Sequence, residues 1–197
     1  ENCTISGTLG THSDANDICV YNNSSFNRIV GNKCYGTGAN GILHQGTVGS
    51  TPFKNQIIGN YVTQKSGYGI IVYLVTPANT RTIVSDNYVT DIQGSSNSGT
   101  TGSGIYIQSA GGTIVEKNVV ENCCVQTTSS VNLPAGISIA FDVSAGPGLD
   151  PVVVSENSVS TAKFSAIAAA NCRVSIINNQ YVQSTDTAAG SGILVQD

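Results

Sequence analysis

Methionine and tryptophan are absent from this 197-residue chain, histidine occurs twice and proline five times. Charged residues make up only 10% of the sequence, well below the share in an average globular protein. The formal net charge is −4 and no run of Lys or Arg is present, so nucleic acid is not expected as a partner. No apolar stretch has the length of a membrane span, and none is predicted.

Histidine and cysteine are too few and too scattered to suggest a metal site. His12 and His44 are the only histidines, and the cysteines show no CxxC spacing, so we expect neither zinc nor any other cofactor. We predict buried, reduced thiols rather than a disulfide framework. The six cysteines are Cys3, Cys19, Cys34, Cys123, Cys124 and Cys172.

The sequence is rich in Gly, Ser, Thr and Asn, and two short patterns alternate along it. The first pattern is a strand with apolar residues two apart, usually opened by Gly, as in GILH at 41–44, GIIV at 69–72 and GIYI at 104–107. The second is a β-branched run that ends in Asn and continues with another short strand, as in QIIGNYVT at 56–63 and TIVEKNVVE at 113–121. Repeats of 20 to 40 residues are typical of solenoids.

These patterns predict an all-β fold, a right-handed single-stranded parallel β-helix of about seven coils with three short strands in each. A two-residue period places alternate side chains on one face, so the isoleucines of the Gly-Ile strands should stack inside. We interpret the recurring Asn as the left-handed residue of a sharp turn, with its amides stacked as an internal ladder. The ladder positions are Asn2, Asn32, Asn60, Asn87, Asn118, Asn157 and Asn179. His44 falls where neighbouring coils have inward Val72 and Ile107, which predicts a buried structural histidine.

At these residues the chain resembles the pectate-lyase-like superfamily of right-handed parallel β-helices. The resemblance implies a protein that handles polysaccharide. Within the superfamily the near-uncharged composition is most similar to a phage tailspike or depolymerase fragment. The resemblance implies a polysaccharide partner, a homotrimer in the parent protein, and a location on a virion tail or an extracellular surface.

The chain reads as a single β-helical segment over 1–197. It opens at a ladder position and closes just after a Gly-Ile strand, and no polar cap is evident, so we expect it to be a piece of a longer protein.

Four acidic residues form the best candidate for catalysis. Asp86 and Glu116 lie near the ladder in successive coils, and Asp91 and Glu121 lie after it. Glycoside hydrolysis needs two carboxylates about 5–10 Å apart, and equivalent positions one coil apart satisfy that distance. We predict Glu116 as the acid and Asp86 as its partner. The alternative is that all four are solvated charges at strand edges, with Lys117 neutralising its neighbours.

Tyrosines are the candidate substrate-binding residues. Tyr61 and Tyr88 each follow a ladder Asn and should stack on the outside, and Tyr106 should point outward from a Gly-Ile strand. The alternative is that an outward tyrosine stack only stabilises the solenoid or packs in a subunit interface. The insertions at 7–16, 91–103, 125–135 and 143–150 are candidate walls of a binding groove.

Three functions therefore remain open from the sequence. The first is a tailspike segment that binds and in some forms depolymerises a bacterial surface polysaccharide. The second is a secreted polysaccharide lyase, epimerase or glycoside hydrolase. The third is a structural β-helix of a fibre or adhesin without catalysis.

Overall fold

The computed structural model describes residues 1–6, 15–49, 52–94, 102–125, 134–140, 149–182 and 192–196. Within those ranges it contains 20 strands in three parallel sheets and no helix. Sheet 1, formed by the Gly-Ile strands, has seven members. They are β2 (Asn16–Tyr21), β5 (Asn40–Gly46), β8 (Tyr68–Asn79), β11 (Ile105–Gly111), β14 (Ala135–Ala140), β17 (Ser165–Ala170) and β20 (Ile193–Gln196).

The β-branched runs before the ladder form sheet 2, and the strands after it form sheet 3. Sheet 2 consists of β3 (Arg28–Val30), β6 (Gln56–Ile58), β9 (Ile83–Ser85), β12 (Ile114–Glu116), β15 (Val152–Ser155) and β18 (Val174–Ile177). Sheet 3 consists of β1 (Thr4–Ser6), β4 (Lys33–Tyr35), β7 (Tyr61–Thr63), β10 (Tyr88–Ile92), β13 (Val119–Cys123), β16 (Ser158–Ser160) and β19 (Gln180–Val182).

The predicted all-β parallel β-helix is confirmed. Each strand pairs with the strand three places further along the chain, which is the connectivity of one ribbon wound in three-strand turns. Strands β1–β18 make six complete turns and β19 and β20 begin another, slightly fewer complete turns than the seven predicted.

The interior consists of columns of identical or similar side chains. Ile42, Ile70, Ile105, Ile137 and Ile167 pair in register along sheet 1 and are at most 2% exposed. Each column removes a continuous strip of apolar surface from water, which is the main source of stability in such a fold. Ile193 continues the column but is 54% exposed, because β20 is the last strand of its sheet.

The asparagine ladder is also confirmed. In the middle of it, Asn118 Nδ2 donates to Asn157 Oδ1 at 2.9 Å and to the Val84 carbonyl at 2.9 Å. Its own Oδ1 accepts from the backbone N–H of Asn87 at 3.0 Å and from Asn87 Nδ2 at 2.9 Å. The same arrangement joins the ladder residues in sequence, which are Asn32, Asn60, Asn87, Asn118, Asn157 and Asn179.

Two details of the predicted ladder are wrong. Asn2 is not a member, because the pairing of Thr4 with Lys33 places Cys3 opposite Asn32, and it is the Cys3 N–H that donates to Asn32 Oδ1 at 3.0 Å. The left-handed residue is not the ladder Asn but the residue before it. That position has φ between 51° and 68° at Gly31, Gly59, Asp86, Lys117, Glu156 and Asn178. The turn therefore leaves the ladder amide free to point inward, where it can pair with its neighbours.

The glycines that open the sheet 1 strands also have a different role from the tight bend that the sequence predicts. The glycines that open them have no positive φ, but a Cβ on Gly104 would lie 2.4 Å from Val120 Cγ1 and 2.9 Å from the Gly136 carbonyl. Gly104 is needed because sheet 1 approaches sheet 3 too closely there for a Cβ, whereas the coils with Asp17 and Ala166 accommodate a side chain at the equivalent position.

All six cysteines are free thiols. Cys34, Cys123 and Cys124 are buried as predicted, whereas Cys3 and Cys19 are exposed and Cys172 is intermediate. The exposed two lie on the first strands of their sheets or just before them, where no preceding coil covers them among the described residues.

Candidate functional site

The outer face of sheet 3 carries a cluster of polar and aromatic side chains. Tyr61 pairs in register with Tyr88, and Thr90 pairs with Glu121 one coil further. Because the strands alternate, Val62 and Val89 between these residues are fully buried while the tyrosines point outward. This surface, built from β7, β10 and β13, is called the sheet 3 face below.

Tyr61 and Tyr88 form the outward stack that the sequence predicts. Their ring centroids are 5.5 Å apart with the planes 7° from parallel, and the side chains are 40% and 37% exposed. Each ring covers one face of the other, so the pair presents ring edges and hydroxyl groups to solvent. The stack contributes to the solenoid's stability and also leaves an amphipathic surface accessible.

A hydrogen bond fixes Tyr88. Its hydroxyl donates to Glu121 Oε2 at 2.6 Å, a charge-assisted distance. That bond, with some burial and the negative charges of Glu121 and Asp91, raises the pKa of Tyr88 to about 12. Tyr88 therefore remains protonated near neutral pH and acts as a donor, whereas a tyrosine that serves as a general base needs a pKa nearer the working pH.

Asp91 is held beside this pair. Its Oδ1 accepts from Asn122 Nδ2 at 2.6 Å and its Oδ2 accepts from Thr63 Oγ1 at 3.3 Å, so three successive coils meet at one carboxylate. Asp91 and Asn122 both have positive φ, at 57° and 48°, although they lie within β10 and β13. Sequence reasoning missed Thr63 and Asn122, although counting equivalent positions from the ladder would have placed both beside Asp91.

The four predicted acids do not form one cluster. Glu121 and Asp91 share the sheet 3 face, whereas Glu116 ends β12 in sheet 2 and Asp86 occupies the left-handed turn before Asn87. Asp86 and Glu116 are backbone neighbours in adjacent coils, since the Asp86 N–H donates to the Glu116 carbonyl at 3.2 Å. The ladder turn separates the two pairs, and the catalytic roles proposed for all four stay predictions.

Tyr106 lies on a different face of the solenoid. It points outward from β11 and stacks on Tyr68 with centroids 4.8 Å apart and planes 19° from parallel, and its hydroxyl donates to Gln108 Oε1 at 2.9 Å. Burial raises the pKa of Tyr106 well above its ordinary value. Its outward neighbours in sheet 1 are covered, with Ile71 at 8% and Ser138 at 0% exposure. Tyr106 is therefore a partly enclosed residue and not a continuation of the Tyr61–Tyr88 stack.

The insertions that the sequence predicts as groove walls lie mostly outside the described residues. The structure does not describe residues 7–14, 95–101, 126–133 and 141–148. Among the residues that the structure describes, no three His, Cys, Asp or Glu side chains converge as a metal site. In the same part of the chain, no helix is long and apolar enough to cross a bilayer.

Comparison with known proteins gives a structural likeness without a sequence relative. No family matches the sequence, and no curated protein does. The fold is similar to that of a mannuronan C-5 epimerase A-module from Azotobacter vinelandii, with a TM-score of 0.68 and 15% identity over 92% of this chain. The chain spans 46% of that module's length. An alginate lyase from a Paenibacillus strain also matches, with a TM-score of 0.43 and 15% identity over 92% of this chain and 75% of that one. The first likeness supports the β-helix fold and does not by itself assign a function.

Proposed function

We propose that this chain is the glycan-contacting part of a polysaccharide-acting β-helix protein, and that the sheet 3 face is its contact surface. The observation that carries the proposal is the fixed cluster of Tyr88, Glu121 and Asp91 beside an exposed tyrosine stack. Hydroxyl, carboxylate and amide groups from three coils are held at one place on this surface.

The chemistry of this cluster suits sugar hydroxyl groups. Glu121, Asp91 and the Tyr88 hydroxyl oxygen can accept hydrogen bonds, Asn122 can donate one, and the ring edges offer apolar contact to sugar C–H groups. Because each polar group is already held by a neighbour, little side-chain freedom would be lost when a ligand binds.

The charge of the site favours a neutral, hydroxyl-rich glycan. Two carboxylates lie on the sheet 3 face, and the chain carries a net charge of −4, so a uronate polymer would be repelled. The structural neighbours are named for mannuronan and alginate. We therefore propose a different ligand class for this surface from the polymers in those names.

A binding experiment tests the proposal. Affinity electrophoresis against neutral glucans and mannans, bacterial O-antigens and uronate polymers would compare the native chain with Tyr88→Ala and Glu121→Gln. We expect retardation by a neutral polysaccharide and at least a tenfold weaker interaction in both variants. Tyr21→Ala is the matched control, because Tyr21 is 45% exposed but lies on sheet 1. Equal binding by all four proteins, or no binding at all, would refute the assignment.

Within this proposal, a polysaccharide-acting enzyme has better support than a tailspike, because a solved fold similar to this one belongs to an epimerase module. Of a lyase, an epimerase and a hydrolase, the hydrolase is the enzyme that suits a neutral glycan, because the other two need a uronate. If the chain cleaves a polymer, Glu116→Gln should lower turnover by about a hundredfold or more, the size of a general-acid contribution. An unchanged rate would end that role for Glu116.

The tailspike origin, the homotrimer and the virion or extracellular location are the finer parts of the proposal. Light scattering on the purified parent protein would test the trimer, and a monomer would favour the enzyme.

A further inference from the structure

Inside the solenoid, a lysine and an aspartate meet without any access to solvent. Lys65 Nζ lies 2.6 Å from Asp17 Oδ2, and both side chains are 0% exposed. Lys65 Nζ also donates to the Gly36 carbonyl at 2.9 Å. Two exposed ion pairs among the described residues are longer, at 3.6 Å for Arg28–Glu1 and 3.8 Å for Arg81–Asp150.

Both residues occupy columns that are apolar or glycine elsewhere. Lys65 stands two residues after Thr63, where β10 has the buried Ile92. Asp17 lies between residues that pair with Asn40 and Ile42, so it takes the place of Gly41. Two polar substitutions in separate columns therefore face each other across the interior.

The corner around Asp17 is adapted to hold a side chain. A Cβ on Gly41 would lie 2.2 Å from Val62 Cγ1, and one on Gly69 would lie 2.3 Å from Val89 Cγ1. The residue in register with Val62 one coil earlier is Cys34, which is smaller than valine. The Asp17 carboxyl is accommodated where the equivalent glycines could not be replaced.

The pair is poorly solvated by the protein. Among the described residues, neither oxygen of the Asp17 carboxyl has a hydrogen-bond partner, and Oδ2 lies against Lys65 Nζ. A buried carboxylate normally needs several donors. The close contact with Lys65 is therefore the main interaction that the structure provides for this carboxyl.

We propose that Lys65 Nζ and Asp17 Cγ become joined by an intramolecular amide bond after folding. A proton passes from Lys65 Nζ to Asp17 Oδ2, the resulting amine attacks Cγ, and a second N–H proton leaves with the Asp17 hydroxyl as one water while the C–N bond forms. No oxidant, cofactor or second protein is required. The remaining amide N–H keeps its hydrogen bond to the Gly36 carbonyl.

The geometry supports this reaction in three ways. Lys65 Nζ contacts Asp17 Oδ2, which is bonded directly to Cγ, so the amine also lies close to Cγ. This proximity replaces a bimolecular encounter between the two groups. The Gly36 carbonyl fixes the amine by accepting one of its N–H bonds. Exclusion of bulk water removes the solvent that would hydrolyse the product.

Cys34 does not compete as a nucleophile. Burial and the charge of Asp17 raise the pKa of its thiol to about 12, so it stays protonated.

Intact-mass spectrometry of the native chain tests the proposal directly. We expect most molecules to weigh one water less than the sequence. After thiol alkylation and trypsin digestion, residues 1–28 should be attached to residues 55–81, with no cleavage after Lys65, because an acylated lysine is not a trypsin site. Fragmentation should place the link at Asp17 and Lys65.

Variants provide the controls. Lys65→Arg keeps the charge but supplies no nucleophilic amine, so its mass should equal its sequence. Lys54→Arg alters an exposed lysine outside the pair and should leave the missing water unchanged. A native mass equal to the sequence, or a link between other residues, would overturn the proposal. The native measurement remains decisive even if Lys65→Arg fails to fold.

Discussion

Asn55 Nδ2 donates a hydrogen bond to the buried imidazole of His44, with 2.8 Å between Nδ2 and Nε2. An amide NH₂ can only donate, so Nε2 is the unprotonated nitrogen and Nδ1 carries the proton. His44 is fully buried between Val20 and Val72 in its column, as the sequence predicts. Nδ1 has no partner among the described residues. A second proton on this ring would break the Asn55 bond and bury a charge.

Acid should therefore destabilise the fold through His44. Burial lowers its pKa from 6.5 to about 4, so the unfolded chain binds a proton that the folded chain refuses between those values. Stability should be complete above pH 6.5 and fall by up to about 3 kcal/mol as the pH approaches 4. Urea unfolding across this range would measure the free energy of unfolding for the native chain and for His44→Val.

The difference in the free energy of unfolding between the native chain and His44→Val isolates the contribution of the histidine, because the two proteins have the same carboxylates. This difference should change with pH below 6.5 and be constant above 6.5. A constant difference over the whole range would show that His44 does not control the acid response.

Removing one amide from the middle of the ladder should be costly. Asn118→Ala would leave the backbone N–H and the side-chain Nδ2 of Asn87, and the Val84 carbonyl, without their partner. Each unsatisfied buried group costs about 1–3 kcal/mol. We expect a loss of about 4 kcal/mol in urea unfolding. Asn179→Ala is the matched control at the end of the ladder and should cost less, because its hydrogen bonds are partly exposed and water can replace the lost partner. Equal effects would mean that burial does not set the cost of losing a ladder amide.

Two glycines should respond differently to substitution. Gly104→Ala forces a Cβ against Val120, Cys123 and the Gly136 carbonyl, all closer than 3 Å, and should cost about 3 kcal/mol or more. Gly59→Asp should cost less than about 1 kcal/mol, since no atom lies within 4 Å of its Cβ and Asp86 already adopts the same left-handed conformation. Thermal and urea unfolding would compare them. A tolerated Gly104→Ala would contradict the close approach of the sheets.

The Tyr88–Glu121 bond should be visible in a tyrosine titration. Glu121→Gln removes the charged acceptor, so the pKa of Tyr88 should fall from about 12 toward 10. Tyrosinate absorbance would show one residue moving to lower pH, and Tyr88→Phe would identify it by removing that step. An unchanged titration in Glu121→Gln would exclude the hydrogen bond as the cause.

The regular features of the fold could be read from the sequence because they repeat. Isoleucines two residues apart and an Asn at each turn are periodic, and a parallel solenoid places equivalent positions directly above one another. The inward Ile columns, the asparagine ladder, buried His44 and the Tyr61–Tyr88 stack follow from register alone.

The candidate site was only partly predictable. The positions of the four acids before and after the ladder Asn are visible in the sequence, but not the hydrogen bonds that tie Glu121 to Tyr88 and Asp91 to Asn122. The sequence also did not identify the residue before each ladder Asn as the left-handed one, because Gly, Asp, Lys, Glu and Asn all occupy that position.

The sequence by itself determined which side chains face inward, since strand alternation is a local property of the backbone. Only the tertiary structure decided the contacts that break the repeat, above all the meeting of Asp17 with Lys65 inside the solenoid. Those contacts depend on how neighbouring coils bring different columns together at a corner, and distance across the interior is not encoded in the spacing of residues along the chain.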